Sequence, residues 1–175
     1  FLQEDMKRQH GGIRAVAKKI RAFSAAWARL QHETPGWPTT PEDKMFNADL
    51  AKWLQFHKAM LIGEFIPEAL RYVRNNPLCS DRNAYDYVLV DEYQDLNRAE
   101  QSILDILSSN GALTVIGHDD HSIYSFKFAH PDGIAQFENS HPGTHSEGLV
   151  DCHRCPCKIV EIANSLISCN DNRDS

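Results

Sequence analysis

Residues 85–95 read YDYVLVDEYQD, and the junction inside this stretch decides the fold. Tyr85 to Val90 is short, apolar and rich in β-branched and aromatic residues, the pattern of a strand buried on both faces. Asp91 and Glu92 follow at once, with Gln94 and Asp95 close behind. In sheets of parallel strands, ligands gather beyond the carboxyl ends of the strands, where these acids fall.

Downstream, the pattern alternates. Asn97 begins a helix, with Glu100 three places on as in a capping box, and Ile103, Leu104, Ile106 and Leu107 form its apolar stripe. Gly111 closes that helix, Leu113 to Ile116 is a second buried strand, and Gly117 opens a loop. Ser146 to Asp151 is expected as a third strand. Pro156 starts a last helix, with Ile159, Val160, Ala163, Leu166 and Ile167 expected inward. Strands alternating with helices predict an α/β unit with a parallel sheet flanked by helices.

Upstream, no strand is needed before residue 84, so residues 1–83 read as a mainly helical unit. Ile13, Val16, Ala17, Ile20, Phe23, Trp27 and Leu30 share one face of a helix over 13–30. Residues 34–43, with three prolines and a glycine, are expected as a loop. Asn47 is expected to cap a second helix running to about Ile62, with Leu50, Trp53, Leu54, His57 and Leu61 inward. Pro67 suits the first turn of a third, which stops before Asn75-Asn76-Pro77.

The bulk numbers narrow the classes. The 175 residues are about one domain's worth of chain, and 42% hydrophobic content supports a core. No segment has the roughly 20 apolar residues needed to span a bilayer, and the first residues lack the apolar run of a secretory segment, so the expectation is a cytoplasmic protein without a membrane partner. Five cysteines, three of them crowded into residues 152–157, fit reduced thiols better than a disulfide framework. The net charge is −6, but residues 1–32 carry seven cations against two acids, leaving −11 on the rest. Arg14, Lys18 and Arg21 fall on one helix face, which is either a stripe that touches phosphates or a solvated side.

Adjacent carboxylates at a strand end repel each other unless a cation or substrate chemistry requires them. One can hold Mg²⁺, largely through water, while its neighbour takes a proton from an attacking water. That division suits phosphoryl transfer. The plain alternative is an acidic turn that solubilises a strand end.

Three stretches carry a family resemblance. YVLVDEYQDLNRAEQ (87–101) resembles the second motif of superfamily 1 helicases of the UvrD/Rep type, LTVIGHDDHSIYSFKFA (113–129) the third, and DCHRCPCKIVEIAN (151–164) the fourth, in the family's order and spacing. The resemblance implies a partial RecA-like domain at 84–175 and a partial inserted helical subdomain at 1–83. It implies ATP and Mg²⁺ as cofactors, single-stranded and duplex DNA as partners, and 3′ to 5′ polarity. It also implies residue roles: Asp91 for Mg²⁺, with Glu92 beside it as general base. Gln94 would sense the γ-phosphate or attacking water, Asp95 would brace the motif, and Arg154 would reach the γ-phosphate. Tyr124 and Phe126 take the aromatic positions of the third motif, with Phe126 stacking on a base.

The chain departs from the family at four places. His121 stands for the usual Gln, Lys127 for Arg, His153 for the Tyr that packs against adenine, and Phe128 for Gly. Histidine changes charge near neutrality, and lysine keeps the charge but loses the planar fork of arginine, so neither swap is neutral; the resemblance still implies His121 and His153 at the nucleotide and Lys127 at the DNA. No Gly-Lys-Ser/Thr loop occurs in the sequence. The expectation is therefore an internal piece of a helicase, joined in the parent to a phosphate loop and a second RecA-like domain, and inactive alone. Two other classes remain open: a degenerate helicase piece that binds DNA or protein, and a zinc module built on Cys152, His153, Cys155 and Cys157.

Overall fold

The computed structural model describes residues 1–118, 128–130 and 132–169. Its architecture is α/β, mostly helical, with a small parallel sheet. The first helices are α1 (Leu2–Met6), α2 (Ile13–Ala28), α3 (Pro41–His57) and α4 (Phe65–Asn75). Then come β1 (Tyr87–Val90), α5 (Arg98–Leu107), β2 (Ala112–Val115), the short α6 (Asp132–Ala135) and α7 (Phe137–Ser140), and α8 (Cys157–Ile167).

The helical half holds the main core. Met6, Val16, Phe23, Trp27, Phe46, Leu50 and Leu54 form one buried cluster, with Leu2, Ile20, Trp37, Trp53 and Leu61 packed around it. Phe23 meets Trp27, Trp37 and Phe46 edge to face, at centroid separations of 5.9, 4.9 and 5.3 Å. The stripe predicted along α2 is thus inward from Val16 to Trp27, whereas Ile13, in its first turn, is exposed.

α3 begins earlier than expected. Thr40 accepts a hydrogen bond from the Asp43 N–H at 3.1 Å, and Pro41 occupies the first helical position. Pro41-Glu42-Asp43 therefore opens a helix, because a proline there lacks only an N–H that would be unpaired anyway. α3 ends at His57, where Lys58 takes a left-handed conformation. His57, expected inward, is exposed and lies against the Trp53 ring at 4.1 Å.

β1 and β2 pair in parallel, Tyr87 with Ala112 through Val90 with Val115. The connecting α5 carries the predicted capping box: the Asn97 side chain accepts from Glu100 N–H, and Glu100 accepts from Asn97 N–H. α5 packs against α4 and α2, across the 83/84 boundary expected from sequence.

Three expectations are corrected. The strands are covered on one face only: Val88, Val90, Leu113 and Val115 are half-buried, while Tyr87 and Leu89 are open. Ser146 to Asp151 is not a strand; no strand among the described residues pairs with it, and Leu149 and Val150 lie in solvent. No side chain of α8 is buried, and its expected inward residues Ile159 and Leu166 are exposed. In each case the sequence supplies an apolar face, and nothing in the described chain packs on it.

Candidate nucleotide-hydrolysis site

The site begins where β1 stops. Val90 is its last residue, and Ile116 N–H donates to the Val90 carbonyl at 2.8 Å. Two residues on, Glu92 sits at φ 53°, ψ 45°, in the left-handed region that ordinary side chains avoid. Such a backbone costs a non-glycine residue about 1–2 kcal/mol and persists only where its neighbours fix it. The turn swings the chain into a short 3₁₀ segment, Tyr93–Asp95. Tyr93 N–H then donates to the Ile116 carbonyl at 3.0 Å, seating this segment on the end of β2.

The consequence is a division of labour within four residues. Asp91 and Glu92 are exposed; Tyr93 and Gln94 are buried. Tyr93 meets Phe137 edge-on at 5.5 Å. Burial, and secondarily the Asp105 carboxylate, push its phenol up to about 12. Gln94 is 1% exposed, and its carboxamide is spent on two partners. Nε2 donates to Glu92 Oε2 at 2.6 Å, and Oε1 accepts the His118 N–H at 3.0 Å.

Both acids keep an oxygen for outside partners. Asp91 Oδ1 accepts from the Glu92 N–H at 2.9 Å, and Oδ2 has no hydrogen bond among the described residues. Glu92 Oε1 is in the same position, with only Oε2 engaged. Two neighbouring carboxylates, each oriented through one oxygen and open through the other, fit a hard divalent cation completed by water and phosphate oxygens. Asp95 differs: its Oδ1 is buried with no hydrogen-bond partner among the described residues, while its N–H donates to the Glu92 carbonyl at 2.9 Å.

The other expected residues are not gathered here. His153 and Arg154 are exposed in the turn before α8, with no hydrogen bond or ion pair to the acids among the described residues. Arg14, Lys18 and Arg21 lie exposed along α2, and among the described residues none has an ion-pair partner. His121, Tyr124, Phe126 and Lys127 lie outside the described residues. Among the described residues no three His, Cys, Asp or Glu side chains converge to hold a metal, so Cys152, His153, Cys155 and Cys157 form no cage. Backbone N–H groups of Cys155 and Arg154 instead face the Cys152 thiol and lower its pKa.

One feature has no counterpart in the sequence expectations, and one departure finds its backbone explanation. Gly117 comes so close to Gln94 that a side chain would not fit between them. The signal for it was a glycine placed directly after a strand, which often marks close backbone approach. Phe128 adopts φ 63° at the position where the resemblance has glycine, and Arg29 lies over its ring at 5.7 Å. The substitution thus keeps a backbone that glycine would adopt without strain.

Comparison with known proteins bears on this geometry. The family model for the UvrD/REP helicase N-terminal domain matches residues 13–142. A "Probable DNA helicase II homolog" of Mycoplasma capricolum is 39% identical over 105 residues, covering 59% of this chain and 14% of that protein. The ATP-dependent DNA helicase PcrA of Leuconostoc citreum is 36% identical over 90 residues, which is 51% of this chain and 12% of the relative. PcrA of Staphylococcus aureus is 33% identical over 111 residues, 63% of this chain and 14% of the relative. The chain therefore spans about a seventh or less of each relative's length.

Proposed function

Because the chain belongs to the UvrD/REP helicase N-terminal domain family, we propose that Asp91 and Glu92 form the metal and water end of an ATP-hydrolysing site in a DNA helicase. The observation that carries this reading is the pair of exposed, separately oriented carboxylates at the carboxyl end of a parallel strand. In it, residues 84–175 belong to a RecA-like ATPase domain, and residues 1–83 to a helical subdomain inserted in it.

The roles divide as follows. Asp91, with Glu92 beside it, would hold Mg²⁺, which when bound supplies charge neutralisation to the phosphate oxygens. Glu92 accepts a proton from the attacking water; the Gln94 donor on Oε2 orients the carboxylate and leaves Oε1 for that proton. Tyr93 anchors the turn beneath both acids. Arg154, exposed ahead of α8, would reach the γ-phosphate and stabilise charge in the transition state. By their places in the third and fourth motifs, His121 is assigned to the phosphates and His153 to the base. The exposed row Arg14, Lys18 and Arg21 follows a DNA backbone, while Tyr124, Phe126 and Lys127 contact the single strand. Hydrolysis drives 3′ to 5′ movement in the parent enzyme. With no Gly-Lys-Ser/Thr loop in its sequence, this 175-residue chain alone holds the metal without turning over ATP.

Mn²⁺ serves as a spectroscopic stand-in. Added to the isotopically labelled chain, it should broaden the amide signals of Asp91 and Glu92 first, and Asp91→Asn should remove the effect. Broadening centred elsewhere, or surviving that substitution, would defeat the assignment. ATP turnover by the purified chain, abolished by Glu92→Gln, would overturn the statement of inactivity.

A further inference from the structure

We propose that Gly117 is a positioning residue, whose missing side chain forms the seat of the Gln94 carboxamide and so fixes the Glu92 carboxylate against the end of β2. The inference rests on Glu92 being the hydrolytic base, and adds how that base is held.

A Cβ at position 117 would lie 2.5 Å from Gln94 Oε1 and 3.3 Å from the Tyr93 nitrogen. Real Cβ atoms essentially never approach a heavy atom as closely as the first distance. Gly117 is not among the glycines with positive φ, so backbone freedom does not explain it; close approach does. The atom it makes room for is the oxygen that accepts the His118 N–H at 3.0 Å. The nitrogen of the same carboxamide donates to Glu92 at 2.6 Å. These two bonds also fix which way the amide faces, since a flipped group would set N–H against N–H and oxygen against carboxylate. One planar group thus joins the catalytic acid to the backbone that leaves β2. A methyl at 117 would push that group out of its seat, and both bonds would be lost together.

The test uses the 175-residue chain and three readouts: melting temperature, hydrogen exchange at the His118 amide, and the ¹³C signal of the Glu92 carboxyl. Gly117→Ala should lower the melting temperature, speed His118 exchange about tenfold, the weight of one hydrogen bond, and move the Glu92 signal. Gln94→Ser, too short to reach Glu92, should give the same His118 and Glu92 changes without a clash. The double variant Gly117→Ala/Gln94→Ser should recover melting temperature while the Glu92 signal stays displaced, separating positioning from packing. Gly111→Ala is the control: its Cβ would lie 2.5 Å from the Asp86 carbonyl oxygen, so it should destabilise without moving the Glu92 signal.

The inference fails if Gln94→Ser leaves His118 exchange and the Glu92 signal as in wild type, or if Gly111→Ala moves them equally. Neither outcome depends on metal binding. Loss of the Mn²⁺ effect with these signals behaving as stated would count against the hydrolytic reading alone.

Discussion

Replacing Tyr93 with phenylalanine tests whether the acids hang on a buried anchor. Tyr93 is 2% exposed, and its phenol is pushed from the ordinary 10.0 up to about 12, by burial first and then by the Asp105 carboxylate. In the unfolded chain the phenol ionises near its ordinary value. Between the two values the unfolded state has released a proton that the folded state keeps, so stability falls as pH rises. The contribution is complete below pH 10 and is lost as pH climbs through the folded value. At 1.36 kcal/mol per unit of displacement, the full effect is about 3 kcal/mol. Tyr72, Tyr85 and Tyr87 are all exposed, so they cancel when the two proteins are compared. Urea unfolding followed by circular dichroism, at a series of pH values from about 8 to 11.5, supplies the measurement. Wild type should lose stability more steeply than Tyr93→Phe above about pH 10, and the two should be close near pH 8. Parallel decline of both proteins across that range would refute the argument, because the phenol would then not be selectively kept neutral by the fold.

Other consequences follow from single contacts. Thr40→Ala removes the cap of α3 and should cost about 1 kcal/mol in urea unfolding; an unchanged midpoint would mean that Pro41 alone sets the helix start. Lys19 donates to Asp43 at 2.9 Å and, followed by Thr40, holds that carboxyl below its usual range. This stability is present above about pH 4 and lost as pH falls through the depressed value, so Lys19→Met should flatten the acid limb of the stability curve. Replacing Arg14, Lys18 and Arg21 together with alanine should reduce the salt dependence of single-stranded DNA binding by up to about two logarithmic units per decade of salt, at roughly 0.7 per phosphate contact. Fluorescence anisotropy of a labelled oligonucleotide reads this, and an unchanged slope would make the row a solvated face only.

What was legible in the sequence had local causes. The three- and four-residue spacing of Val16, Ile20, Phe23 and Trp27 predicted the buried face of α2, because helix geometry alone puts those side chains together. The Asn97 and Glu100 pair announced the start of α5 through two reciprocal hydrogen bonds three residues apart. Asp91 and Glu92 were legible for a similar reason: an apolar strand followed at once by acids puts charge at its end. The misreadings came from context that a local pattern lacks. Pro41 reads with Pro35 and Pro38 as loop, but the Thr40 cap before it makes it a helix start. Leu149 and Val150 have strand chemistry, but a strand needs a neighbour, and none among the described residues pairs with them. The link between Gln94 and Gly117 joins residues 23 positions apart, and only the parallel pairing of β1 with β2 brings them together.

That pairing also explains why the strained residue is Glu92 and not a neighbour. A strand puts successive side chains on opposite faces, so an extended continuation of β1 would send Asp91 and Glu92 to opposite sides of the sheet. The left-handed turn at Glu92 breaks the alternation at the first residue where this matters. The turn leaves Asp91 and Glu92 exposed, while Tyr93 and Gln94 are buried. Glycine would take the same turn without strain but would bring no carboxylate. The cost of about 1–2 kcal/mol is offset by the bonds from Tyr93 N–H to Ile116 and from Gln94 to Glu92, which hold the turn in place.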